Sequence, residues 1–150
     1  MGSNPPYDGW LNLRSRMRWL LDAAADMWPL PPISGVSIRY INQIVLPAAK
    51  IDTDDYFTIP IRTAREGTSA LSSFVYRVES VIPGGDIARS TFASMARDDR
   101  ANAFLLDFEF LREERFASFE DAERAADRLK NLENEEFESC ITDATRELFH

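Results

Sequence analysis

The segment Ser118–His150 has the sequence SFEDAERAADRLKNLENEEFESCITDATRELFH. We expect the rest of the chain to supply the sheet on which this segment packs. Its apolar residues recur at intervals of three and four, which predicts an amphipathic helix. Ser118 is placed to cap the first turn, and Asp121 completes a short capping box. An acidic run between Leu132 and Phe137 interrupts the apolar stripe, so we expect either one long helix or two helices in tandem. The stripe consists of Ala122, Ala125, Ala126, Leu129, Leu132, Phe137, Cys140, Ile141, Ala144 and Leu148.

The segments upstream of this helix predict the strands of a mostly antiparallel sheet. Val36–Leu46 alternates with a period of two, and because β-branched residues occupy both of its faces we expect a central strand. Leu71–Ile82 and Ile87–Ala96 flank the turn sequence PGGD at 83–86, which predicts a hairpin. Ala103–Arg112 is the last predicted strand. One of its faces carries Phe104, Leu106, Phe108 and Phe110.

A helix over Trp10–Trp28 precedes these strands, after a flexible arm at residues 1–9. The order of elements predicts an α+β fold, with an N-terminal helix, a curved and mostly antiparallel sheet of roughly four to five strands, and a long C-terminal helix packed on the sheet. We expect residues 10–150 to form a single domain. The phenylalanine row of Ala103–Arg112 is the surface on which the C-terminal apolar stripe should pack.

The composition of the chain limits which class of protein it can be. The chain has 150 residues, of which 45% are hydrophobic and 28% charged, as in globular domains. Cys140 is the only cysteine, so no intramolecular disulfide can form and a cytoplasmic location is expected. No apolar run approaches the length of a membrane span, so we predict no membrane association.

The net charge of −8 is placed unevenly along the chain. Residues 1–75 contain seven basic and seven acidic residues, whereas residues 76–150 contain ten basic and eighteen acidic residues. This excess argues against direct nucleic-acid binding, which needs a basic surface. An acidic surface can attract a basic protein partner, but a solvated helix face that keeps the protein soluble also explains the charge and is favoured.

Residue types that carry catalysis or bind metal ions are scarce. His150 is the only histidine and the last residue of the sequence, so a Ser/His or Cys/His catalytic arrangement is not expected. Neither a metal nor another cofactor is predicted, since the ligands of an ordinary zinc site are missing. Asp52, Asp54 and Asp55 lie close together but lack the Gly and Glu of a calcium loop, which favours turn-forming and capping roles.

Four polar residues on two predicted strands form a candidate ligand site. Asp107 and Glu109 are two residues apart, so they project from the same side of the last strand. Arg39 and Gln43 likewise share a side of the first strand. If the two strands are neighbours, these side chains meet on one face of the sheet. Such a cluster could bind a small ligand or perform acid/base chemistry, but ordinary cross-strand ion pairs explain it as well and are favoured.

The tryptophans of the predicted N-terminal helix suggest a contact surface. Trp10, Trp19 and Trp28 are nine residues apart, which on a helix is a rotation of about 180°. They therefore cannot all face a core, and at least one should be exposed. Together with Met17 and Met27 they are candidate interface residues, whereas isolated surface aromatics need no special explanation.

Three motifs in this chain resemble those of a known family. They are RYINQI with LP at residues 39–47, LDFE at 106–109, and FE, IT and ELF between 137 and 149. In this order they are similar to motifs of a sporadically distributed family of uncharacterised prokaryotic proteins, which carry an Arg-Tyr-Ile-Asn strand, a Leu-Asp-Ile-Asp strand and a terminal helix with Phe-Glu ahead of Ile-Thr. Glu109 stands where that family has Asp, and typical members have an additional N-terminal segment. The resemblance implies no activity.

The sequence favours a non-enzymatic protein-interaction module that binds a protein partner or forms a homo-oligomer. A sharper form of this hypothesis is an acidic inhibitor or antitoxin-like protein that opposes a basic partner. The alternative is a small-ligand-binding protein or an enzyme that uses Arg39, Gln43, Asp107 and Glu109.

Overall fold

The computed structural model describes residues 9–46, 52–62, 73–95 and 102–149. The chain divides into two units, Met1–Pro32 and Ile33–His150. The first unit contains helix α1, Trp10–Met27, so the predicted N-terminal helix is confirmed, although Trp28 lies just beyond its end. No residue of α1 is buried. Within the described ranges, no helix is long and apolar enough to cross a membrane.

The second unit is built on an antiparallel sheet that is not closed. Its strands are β1 (Val36–Leu46), β2 (Val75–Val81), β3 (Ile87–Ser94) and β4 (Asn102–Arg112). They lie in the order β1-β4-β3-β2. The predicted α+β class and antiparallel sheet are confirmed, and the described part of the chain contributes four strands.

The predicted central position of β1 is wrong, because β1 is an edge strand of the described sheet. On one of its faces Ile38 and Ile44 are buried. On the other face Ile41 is 61% exposed and Val45 is 51% exposed. The composition of β1 reflects the preference of β-branched residues for extended backbone, which does not reveal whether a second face is covered.

The C-terminal segment forms two helices in tandem, α2 (Phe119–Cys140) and α3 (Asp143–Arg146). The interruption does not fall in the acidic run, where α2 is continuous. It falls after Cys140, where Ile141 leaves the helix and forms an isolated antiparallel bridge with Phe57. Hydrogen bonds from Thr58 N to Cys140 O, at 3.0 Å, and from Thr142 N to Tyr56 O, also at 3.0 Å, continue this pairing. The last carbonyl group of α2, that of Cys140, is therefore satisfied by the 52–62 segment.

Two predicted capping interactions are present. Ser118 caps α2, because its Oγ accepts the backbone N–H of Asp121 at 3.1 Å. Asp52 caps the short 3-10 helix Thr53–Asp55, because its Oδ1 accepts the backbone N–H of Asp54 at 3.1 Å. The acidic triplet thus has the turn-forming and capping role expected from the sequence.

The main core lies between α2 and the sheet. α2 packs on β1 and β4, where Phe108 and Phe110 are buried. By transfer estimates each ring contributes about 1.5–3 kcal/mol. Phe104 belongs to an adjoining aromatic cluster, with its ring centroid 5.1 Å from that of Phe57 and 5.9 Å from that of Phe92. The predicted packing of the C-terminal helix on the phenylalanine row is confirmed. The apolar residues of α2 that are buried are Ala122, Ala125, Ala126, Leu129 and Cys140.

The predicted hairpin joins β2 to β3 and is fixed to the rest of the unit by Asp86. Its turn contains Gly84 and Gly85, which have positive φ values of 102° and 90°. The carboxylate of Asp86 is buried and accepts hydrogen bonds from Arg128 of α2 at 2.8 and 3.1 Å. Arg112 of β4 approaches the same carboxylate at 3.4 Å. These charge-assisted bonds hold the hairpin, and with it the position of β2.

Candidate functional site

The sheet face opposite α2 is called the outer face here, and the odd-numbered residues of all four strands project toward it. Charged residues of alternating sign cross this face in one line. Arg39 lies opposite Glu109, and Glu109 lies opposite Arg89 on its other side. Arg89 in turn lies opposite Glu79. These four residues are named the charged row.

Hydrogen bonds connect three of the four members of the charged row, Glu79, Arg89 and Glu109. Arg89 is central, since its Nε donates to Glu79 Oε2 at 2.7 Å and its Nη1 donates to Glu109 Oε2 at 3.0 Å. The second oxygen of Glu109 accepts a hydrogen bond from the Ser37 hydroxyl at 3.1 Å. Strands β2, β3, β4 and β1 are therefore linked side by side through their outward side chains, in the manner of cross-strand ion pairs.

The structure brings together three of the four predicted ligand-site residues. Arg39 forms a bidentate pair with Asp107, with Nε–Oδ1 at 2.8 Å and Nη2–Oδ2 at 2.7 Å. Glu109 lies next to Arg39 in the charged row. Gln43 is placed on the same face, opposite Leu105, but it makes no hydrogen bond with any described residue. The geometry is that of an ion-pair cluster, and its possible role as a ligand site stays a prediction.

The ion pairs shift the pKa values of Arg39, Arg89 and Glu79. The hydrogen bond to Asp107 raises the pKa of Arg39. Hydrogen bonds to Glu79 and then to Glu109 raise the pKa of Arg89. The hydrogen bond from Arg89 lowers the pKa of Glu79. Each shift favours ionisation, so these side chains keep their charges, and the links between strands, through the neutral range.

Apolar side chains surround the charged row on the outer face. On one side of it, Val81, Ile87 and Leu111 lie next to one another across the strands. On the other side, Val75, Ala93 and Leu105 do the same. The side chains nearest the edges are the most exposed: besides Ile41 and Val45 on β1, Val75 is 76% exposed and Val81 is 74% exposed on β2. The edge strands of the outer face thus present branched aliphatic groups to solvent around ion pairs that are already formed, whereas Leu111 and Ala93 between them are buried.

The predicted interface residues of the first unit differ in exposure. Trp19, Met27 and Trp28 are exposed, whereas Trp10 and Met17 are half-buried. The expectation that at least one tryptophan is exposed is confirmed. Whether these residues form an interface stays a prediction.

Sequence reasoning missed a buried ion pair on α2. Lys130 and Glu133 are both buried, with Nζ–Oε2 at 2.7 Å. Lys130 also donates to the side chain of Asn134, and its Nζ lies 4.2 Å from the centroid of the Tyr40 ring on β1. The only signal in the sequence was the spacing of Lys and Glu three residues apart, which is common on solvent-exposed helices.

Cys140 is buried at the end of α2, as expected for a small apolar residue of the stripe. Burial, followed by the charge of Glu136, raises the pKa of the Cys140 thiol from 9.0 to about 11. A thiol in this environment stays protonated and is a weak nucleophile at neutral pH. Across the described ranges no group of His, Cys, Asp and Glu is arranged to hold a metal ion.

Comparisons of the chain with protein family models, with curated proteins and with solved structures find no match. The resemblance carried by the RYINQI, LDFE and FE motifs therefore stays a prediction. The outer face, with its paired charges and exposed aliphatic groups, is the strongest candidate for a functional surface in the described residues of the second unit.

Proposed function

We propose that the chain is a non-enzymatic protein-interaction module that binds a protein partner on the outer face of its sheet. The observation that supports this proposal is the exposure of Ile41 and Val45 beside ion pairs that are already satisfied. Antiparallel sheets that meet solvent on one face usually carry polar residues there. Exposed aliphatic groups collected on such a face are more typical of an interaction surface.

The energetics favour a partner that contributes apolar surface. About half of the Ile41 side chain and half of the Val45 side chain remain exposed, so covering each would contribute about 1 kcal/mol, half of the transfer value for a fully exposed residue. Arg39 and Asp107 already hydrogen-bond to each other, so a partner does not need to supply opposite charges to them. Paired charges near the rim of an interface add specificity rather than affinity.

The charge of α2 supports a basic partner, which is the inhibitor or antitoxin-like form of the proposal, through long-range attraction rather than contact, because α2 lies on the opposite side of the sheet from the outer face. α2 contains eight acidic residues and three basic residues, so the helix carries a net negative charge. An acidic surface of this kind accelerates association with a basic protein and makes it sensitive to salt. The acidic residues of α2 are Glu120, Asp121, Glu123, Asp127, Glu133, Glu135, Glu136 and Glu138, against Arg124, Arg128 and Lys130.

Affinity capture with matched variants tests the proposal. Three baits would be used in extract from the source cells: the wild-type chain, the Ile41→Glu variant and the Asn131→Glu variant. A captured protein would then be purified and titrated against each bait. Asn131 is exposed on α2, so Asn131→Glu adds the same charge outside the outer face. We expect wild type and Asn131→Glu to bind the same protein and Ile41→Glu to bind it at least about tenfold more weakly. Equal binding by Ile41→Glu, or no partner for the wild type, would overturn the proposal.

A further inference from the structure

Strand β2 is an unusual sheet edge. It lies at the end of the strand order, and all seven of its residues, VYRVESV, are exposed. Natural edge strands are commonly protected by charged side chains (lysine above all), proline, a bulge or a very short length, because their unpaired backbone groups can pair with another chain. β2 contains no proline or lysine, its two charged residues, Arg77 and Glu79, are of opposite sign, and its aliphatic and aromatic content favours extended pairing.

The hydrogen-bond pattern of the hairpin shows which backbone groups of β2 point outward. Ile82 N donates to Asp86 O at 2.8 Å, and Ser94 N donates to Phe74 O at 3.1 Å. Even-numbered residues of this hairpin therefore form its hydrogen-bonded pairs. Because such pairs alternate along an antiparallel ladder, the N–H and C=O groups of Val75, Arg77, Glu79 and Val81 point away from β3. They form a row of donors and acceptors along the edge that no other described strand uses.

We propose that β2 pairs antiparallel with β2 of a second copy of this chain, with the two-fold axis at Val78. In this register the odd-numbered residues, whose backbone groups point outward, meet one another across the junction. Val75 lies opposite Val81 of the second copy, and Arg77 lies opposite Glu79 of the second copy. Val78 lies opposite itself, at a non-hydrogen-bonded pair where side chains approach most closely.

Charge complementarity identifies the second copy as the occupant of this edge. Arg77 forms no ion pair with any described residue, although it stands on the outer face beside the charged row. In the proposed pairing its guanidinium meets Glu79 of the second copy, which is bound to its own Arg89 at 2.7 Å. The alternation of charges that begins at Arg39 thus continues across the junction into the second subunit. Opposite charges that face each other across strands stabilise the pairing.

Neighbouring registers are disfavoured, so the pairing is specific. The two β2 strands can slide past each other only by two residues at a time, because odd-numbered residues must stay opposite odd-numbered residues for their outward backbone groups to pair. A shift in one direction places Arg77 opposite Arg77 of the second copy, and a shift in the other direction places Glu79 opposite Glu79. Like charges directly opposite each other are destabilising. Only the register centred on Val78 sets opposite charges against each other on both sides of the axis.

The dimer would present one continuous outer face. Antiparallel pairing with an axis normal to the sheet leaves both outer faces on the same side, so two docking surfaces would be displayed together. This inference concerns the edge of the sheet and does not rest on the proposed binding of another protein. Its test uses the purified chain alone, so failure of one proposal leaves the other standing.

Charge reversal combined with mixing tests the dimer. Sedimentation velocity of the full chain at about 100 µM should show a dimer for the wild type, a concentration that detects a dissociation constant in the micromolar range. Arg77→Glu alone and Glu79→Arg alone should each be monomeric, because like charges then meet across the axis. An equal mixture of the two variants should recover the dimer, because each reversed charge then faces its opposite. Circular dichroism would confirm that both variants are folded.

Cysteine cross-linking tests the register. Val78→Cys should form an intermolecular disulfide on mild oxidation, since the two positions meet at the axis with Cα atoms about 4.5 Å apart. Val75→Cys is the matched control, because it faces Val81 of the second copy and should stay reduced. Cys140 is buried and common to both variants. A monomeric wild type, a dimer unaffected by either charge reversal, or equal cross-linking at both positions would overturn the proposal.

Discussion

Removing one member of the buried Lys130–Glu133 pair should destabilise the protein far more than removing both. Glu133 is only 2% exposed, so Lys130→Met would leave a buried carboxylate without its cation. We expect this change to lower the free energy of unfolding by about 3–5 kcal/mol. Glu133→Gln should cost less, about 2–3 kcal/mol, because Lys130 keeps its contacts with Asn134 and the Tyr40 ring.

The double variant separates pairing from simple burial. Lys130→Met combined with Glu133→Gln leaves no buried charge, so its stability should lie within about 1 kcal/mol of wild type. Arg124 and Asp121 also form an ion pair on α2, but Arg124 is largely exposed. Arg124→Met is therefore the control, with an expected loss of at most about 1 kcal/mol.

Urea unfolding at pH 7, monitored by circular dichroism, measures the free energy of unfolding of all four variants on one scale. The coupling free energy between Lys130 and Glu133 follows from the double-mutant cycle. The reasoning would be refuted if each single change cost less than about 1 kcal/mol, or if the double variant lost the sum of the two single losses. The first result would mean that the pair is solvated in the native state, and the second would mean that the two side chains are not energetically coupled.

Three further changes test other parts of the structure. Phe108→Ala opens a cavity under α2 and should cost about 3–5 kcal/mol in urea unfolding; a loss below 1 kcal/mol would place the ring outside the core. Asp107→Asn breaks the ion pair with Arg39, whose side chain is 54% exposed. Because solvent screens this pair, the free energy of unfolding should fall by only about 0.2–1 kcal/mol. A loss above about 3 kcal/mol in the same assay would contradict this. Because the pKa of Cys140 is raised to about 11, the contribution of the buried thiol to stability is complete below about pH 9 and is lost as the pH rises toward 11. At pH 8 the native protein should react with iodoacetamide much more slowly than urea-unfolded protein. Equal reaction rates would contradict the burial of Cys140.

Local periodicity was sufficient to find most elements of this fold. The alternation of Phe104–Phe110 identifies both β4 and its buried face, and the PGGD turn at 83–86 identifies the hairpin, because both depend on neighbours in sequence. The position of β1 depends on long-range pairing with β4, which periodicity does not encode. β1 was therefore placed centrally from its composition, although Ile41 and Val45 face solvent.

The candidate site was predictable to a similar extent. That Arg39 and Asp107 share a face followed from strand alternation, and their contact followed once β1 and β4 proved to be neighbours. The continuous charged row was not foreseeable, because Glu79 and Arg89 enter it only through the strand order. The burial of Lys130 and Glu133 was also missed, since the tertiary position of α2 decides which side of it is covered.

The central claim is that the aliphatic groups of the outer face bind the partner, whereas its ion pairs stabilise the sheet. Titration calorimetry with one purified partner protein tests this claim most directly. Wild type, Ile41→Glu and Asp107→Asn would be compared under the same conditions. We predict that Ile41→Glu weakens binding at least about tenfold, equivalent to 1.4 kcal/mol, whereas Asp107→Asn changes it less than about threefold. Loss of binding in Asp107→Asn with normal binding in Ile41→Glu would contradict this and would identify the Arg39–Asp107 cluster as the binding site.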